Sequence, residues 1–164
     1  LGECDKISTS KMLNYLDTRS MISLSVDSNI VISDDNISSY PIILICDNDY
    51  LKLNNREVSI LGNHLKQGGL LILDNVISDY TFSIFLDKIL PQSNTESLSL
   101  DTLFSDNPFN INFDEVELDL EAIFINKKLS VLGIKKASLI NYWQEENEEF
   151  FKIGSSIIFY NLTR

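Results

Sequence analysis

The sequence predicts an α/β fold: a mainly parallel sheet with helices on both faces and an antiparallel hairpin near residues 122 to 134. Three observations carry this. Two short runs, Ile42 to Cys46 and Leu70 to Leu73, are apolar throughout, as expected of strands covered on both faces. A helix-periodic stretch joins them, which makes the trio a right-handed β-α-β crossover with the two strands as parallel neighbours. Further on, "EAIFINKKLSVLGI" reads as two strands around a tight turn at Asn126 to Lys128.

The elements follow in order. "DKISTSKMLNYLDTR" reads as a capped helix, with Ser8 or Thr9 accepting from the free amides and Met12, Leu13 and Leu16 forming one apolar face. The alternating "MISLSV" reads as a strand. Pro41 opens the first buried strand. Asn54 stands three residues before Glu57, the spacing of a capping box, and Val58, Leu61 and Leu65 then recur on one side of a helix. Gly68 or Gly69 ends that helix in the left-handed conformation. Phe82, Phe85, Leu86 and Ile89 give the next helix its spacing, and Pro91 stops it. Residues 92 to 115 are polar and turn-rich, a long surface excursion. Of its rings, Phe104, Phe109 and Phe113, at least two are expected to tuck onto the sheet, because bare clustered rings promote aggregation. The acidic "QEENEEF" leads into a last helix with Phe150, Gly154, Ile157 and Asn161 on one stripe. Trp143 is expected to pack beneath it.

Composition bounds the partners. The 164 residues are about one domain's worth, 44% hydrophobic and 23% charged. With 24 acidic and 13 basic residues the net charge is -11, which disfavours nucleic acid and suits cations or a basic protein partner. No apolar run approaches the ~20 residues of a membrane span. The two cysteines, Cys4 and Cys46, show no metal-type spacing, and a disulfide between them is open. The chain begins at Leu1 rather than methionine, which reads as a domain cut from a longer or processed protein.

Several local motifs, in order, resemble the family known as domain of unknown function 4159 (DUF4159), over roughly residues 11 to 164. They are "SYPIILI", "HLKQGGLLILDN", "YTFSIFLDKILP", "SDNPFNINF", "YWQEE" and "FKIGSSIIFYNLT". The resemblance implies a class I glutamine amidotransferase-like fold, a flavodoxin-like three-layer sandwich. It also implies company: members accompany membrane-linked von Willebrand-type and MoxR-like ATPase proteins, so membrane-associated or periplasmic placement would come through sequence outside these residues. Four polar positions depart from the family pattern. Asn107 stands for histidine, Ser156 for asparagine, Lys128 for arginine, and Asn75 for a second acidic residue. Any site built on them is altered here.

Amidotransferase chemistry needs a cysteine on a sharp strand-to-helix turn and a histidine base. Cys46 ends a strand, but "ICDND" lacks the flanking glycines. His64, the one histidine, is expected to be half-exposed near its helix's C-terminus, at the opposite edge of the sheet. No catalytic residue is assigned. In open α/β sheets ligands sit beyond the carboxyl ends of the strands, where Asp47, Asp49, Asp74, Asn75 and Asp79 fall. These form the candidate rim for a ligand or protein partner. Aspartates there commonly cap turns and helices. The other reading gives Asp47 and Asp74 to Mg²⁺ or Ca²⁺ in a metal-dependent hydrolase. No other cofactor is implied. Gly68-Gly69 precedes its strand, so it cannot cradle a phosphate.

Overall fold

A computed structural model describes residues 4–91, 96–98, 104 and 108–163. Among the described residues, five strands form one sheet. They are β1 (Ile42–Cys46), β2 (Leu70–Val76), β3 (Glu96–Leu98), β4 (Asp119–Ile125) and β5 (Lys128–Lys135), in the order β1-β2-β5-β4-β3. β1, β2 and β5 run parallel, β4 is antiparallel to both its neighbours, and Ile42 to Cys46 stand opposite Leu70 to Asp74. The predicted mainly parallel sheet and its hairpin are both present, consistent with a flavodoxin-like α/β fold. The hairpin turn holds Asn126 and Lys127 at φ 52° and 67°, the doubly left-handed geometry that matches strand twist.

Side-chain alternation along β2 builds two cores. Leu70 and Ile72 face α1 (Lys6–Arg19), α4 (Leu139–Gln144) and α5 (Glu148–Thr163), while Leu71 and Leu73 face α2 (Asn55–Lys66) and α3 (Asp79–Ile89). Met12, Leu13 and Leu16 of α1 join the first core with Ile157 of α5; Val58, Leu61 and Leu65 of α2 join the second with the two phenylalanines of α3. Trp143 is buried under α5 and donates Nε1–H to the Phe150 carbonyl at 2.9 Å. Phe104 and Phe109 are buried and Phe113 is half-buried against the same layer, so the rings do tuck.

α2 begins as expected, with the full Asn54–Glu57 capping box. It ends at the glycine pair. Gly68 takes φ +100°, and a Cβ on Gly69 would stand 1.9 Å from His64 Nε2. The first glycine makes the turn; the second leaves room for the imidazole.

Three expectations are corrected. α1 is capped by Asp5, which accepts from the Ile7 amide and the Ser8 hydroxyl, while Ser8 and Thr9 are buried within the helix. An acidic side chain one turn earlier outcompetes the hydroxyls. "MISLSV" is not a strand: Ile22, Leu24 and Val26 do pack inward, yet the segment joins no ladder among the described residues. The segment 92–115 is not wholly irregular, since it supplies β3, the edge strand beside β4.

Candidate functional site

The carboxyl ends of β1, β2 and β5 converge, and each carries a left-handed residue: Asp47 at φ 53°, Asn75 at 61° and Lys136 at 62°. Asparagine and aspartate tolerate this conformation because their short side chains bond locally. A register shift between Leu73 and Val76 accompanies it, and such bulges re-aim side chains at sheet rims.

The five predicted rim residues are neighbours in the fold but do different things. The Asp47 amide donates to the Asp74 carbonyl at 2.9 Å, and Asn75 Nδ2 donates to Asp47 Oδ1 at 2.7 Å. Asp74 itself points inward, on the face of Leu70 and Ile72, and is only 1% exposed. Its Oδ1 accepts from the Leu139 amide at 2.7 Å, and its Oδ2 from the Ser138 hydroxyl at 2.7 Å and the Ile140 amide at 3.3 Å. It therefore caps the start of α4 from across the sheet. Burial pushes its carboxyl above the usual range despite these three donors.

Asp79 opens α3 and pairs with Lys135 at 2.7 Å, which holds its carboxyl below the usual range. Lys135 is shared with Glu121, and its ammonium lies 5.8 Å from the Phe82 ring. Asp49 is spent on Lys52, one turn along a 3₁₀ segment. The rim thus keeps a net negative charge, with one lysine between two carboxylates and Asp47 exposed. Beside Asp47, the Asn48 Oδ1 is buried with no hydrogen-bond partner among the described residues.

The cysteine and histidine that amidotransferase chemistry would use are not brought together there. Cys46 is bonded to Cys4, with S–S 2.05 Å and Cα–Cα 5.6 Å. The open question about the cysteines is answered by a bridge spanning 42 residues. His64 is 6% exposed, not half-exposed, because its ring lies over Gly69. Its Nε2 has no hydrogen-bond partner among the described residues, and burial holds its pKa below the ordinary value. It sits by the amino end of β2, at the far edge of the sheet from Cys46. Among the described residues, no three His, Cys, Asp or Glu side chains are placed to hold a metal.

The four departures from the family pattern do not form one site either. Asn75 is at the carboxyl rim, Lys128 starts β5 at the opposite end, and Ser156 is buried on α5 with its hydroxyl bonded to the Lys152 carbonyl. Asn107 lies outside the described residues.

A concavity away from the rim was not visible in the sequence. A largely apolar cleft of about 190 Å³ opens between α1, β1 and residues 24–32, and reaches Trp143 and Ile157. The alternation in "MISLSV" was its one signal, mistaken for a paired strand. No helix among the described residues is long and apolar enough to cross a membrane. A search of the curated proteins returns no match. The family model described as domain of unknown function (DUF4159) matches residues 2–162, so the chain belongs to that family.

Proposed function

We propose that this chain is a non-catalytic binding module of amidotransferase-like fold, presenting its carboxyl rim to a basic protein partner within a membrane-associated assembly. One observation carries the reading: Asp74, the most deeply set rim carboxylate, has both oxygens committed to the start of α4. Cys46 is likewise committed, to Cys4. What the rim offers outward is charge and hydrogen-bonding capacity, in Asp47, Asn75 and Asp79. Three left-handed residues cluster at the same edge, and such conformations concentrate at binding sites. The bridge supports an oxidising compartment, which suits a periplasmic or surface assembly. Parallel strands covered on both faces support the amidotransferase-like shell.

A metal-dependent hydrolase at Asp47 and Asp74 is the competing reading, and thermal shift separates the two. Adding Mg²⁺, Ca²⁺ or Mn²⁺ is expected to leave the melting temperature of the wild type where it was. A metal-induced rise that Asp47→Asn abolishes would replace the binding-module reading with the hydrolase.

A further inference from the structure

We propose that the cleft beside β1 is a binding site for an unbranched carboxylic acid of medium chain length, its tail against Trp143 and its carboxylate at Lys6. The cleft is walled by Leu24 and Val26 on one side and Ile42 and Leu44 of β1 on the other, with Trp143 and Ile157 at its floor. The floor residues are 2% and 0% exposed, so the space reaches the core and is more than a surface groove. Protein interiors hold few voids larger than a water molecule. A 150 Å³ cavity lined by aliphatic side chains stays dry and takes up benzene. On that scale about 190 Å³ accepts roughly seven or eight carbons.

The covering segment is built to open. Among the described residues β1 is an edge strand, hydrogen-bonded to β2 alone. Residues 23–30 lie over it with strand-like alternation, yet make no backbone–backbone hydrogen bond among the described residues. Lifting them breaks no ladder, and local opening is easiest where backbone bonds are few. Besides the inward packing of Leu24 and Val26, one side-chain hydrogen bond among the described residues latches the segment: the Tyr40 hydroxyl donates to Asp27 Oδ2 at 3.1 Å. Both residues line the cleft. The bridge from Cys4 to Cys46 ties α1 to the end of β1 and so fixes the part of the lining that α1 supplies.

Charge selects the head group. Lys6 lines the cleft, is exposed, and forms no ion pair among the described residues. Asp27, the acidic residue in the lining, is engaged by Tyr40. In a chain of net charge -11, an uncompensated ammonium beside an apolar slot is the local anchor for an anion with a hydrocarbon tail.

The test uses octanoate, with 1-octanol and acetate as probes of tail and head alone. Trp143 is the chain's one tryptophan, so its fluorescence reports on the cleft floor. Octanoate is expected to shift that fluorescence and raise the melting temperature, octanol to do so more weakly, and acetate to do neither. Val26→Phe fills the slot from the covering segment without adding a second tryptophan and should remove both responses. If circular dichroism shows that variant misfolded, Leu24→Phe replaces it. Lys6→Gln should weaken octanoate about fivefold and leave octanol unchanged. No response to octanoate, a response matched by acetate, or one that survives filling of the slot would overturn the site. Octanoate binding indifferent to Lys6→Gln would overturn the assignment of the carboxylate.

Discussion

Removing the Cys4–Cys46 bridge, by reduction or as the Cys4→Ser/Cys46→Ser double variant, is expected to cost about 3 to 4 kcal/mol of folding stability. The size follows from the 42-residue separation. A bridge constrains the unfolded chain more as the loop lengthens, although only logarithmically. For a chain of this length the loss corresponds to a fall of roughly 10 °C in melting temperature. Calorimetry with and without reductant measures it. Position makes this bridge matter beyond its entropy. Cys4 stands just before the Asp5 cap of α1, and Cys46 is the last residue of β1, so the bond fixes where α1 lies against the sheet edge. The loop it closes includes both α1 and the covering segment of the apolar cleft. Loss well under 1 kcal/mol would mean that α1 is held by its core contacts alone.

The second large effect is expected at Asp74. Asp74→Ala removes the acceptor for the Ser138 hydroxyl and for the Leu139 and Ile140 amides, leaving buried donors unpaired at about 1 to 3 kcal/mol each for the worst placed. Denaturant unfolding should therefore show a loss of about 2 to 4 kcal/mol. Asp74→Asn keeps one acceptor oxygen in place and should lose less. Asp47→Ala, whose carboxylate is exposed and accepts from the Asn75 side chain, should fall within about 1 kcal/mol of wild type. Equal and small effects at the two aspartates would remove the structural role assigned to Asp74.

The parallel core of the fold was legible because continuous apolar runs and helical spacing are local signals. Ile42 to Cys46, Val58 to Leu65 and Leu70 to Leu73 each declare themselves within a dozen residues. What escaped depends on partners distant in sequence. "MISLSV" has the alternation of a strand, but alternation records one buried side, and a ladder needs an accepting edge in register. Glu96–Leu98 forms the edge strand β3 inside a polar stretch, where pairing with β4 outweighs propensity. The bridge was undecidable from two cysteines 42 residues apart, since nothing local places their Cα atoms within reach.

The rim was half legible. That Asp47 and Asp74 end adjacent strands follows from the β-α-β unit, and their main chains do meet. The direction of Asp74 was also readable in principle, because the two-residue period puts it on the face of Leu70 and Ile72. Its partner was not: "LINYWQ" carries no strong helix signature, so the α4 start that Asp74 caps could not be anticipated. Sequence reasoning thus located the acidic cluster and the capping role common to aspartates there, but not which helix Asp74 caps.

Charge reversal at the two rim aspartates with outward carboxylates tests the binding reading most directly. In Asp47→Lys/Asp79→Lys the fold should stand, because Asp47 is exposed, Asp79 is 80% exposed and Lys135 keeps Glu121. Partner capture from the native organism, compared with wild type and checked by an unchanged far-ultraviolet spectrum, is predicted to fall to background. Capture undiminished by the double reversal would contradict the account and move the binding surface away from the carboxyl rim.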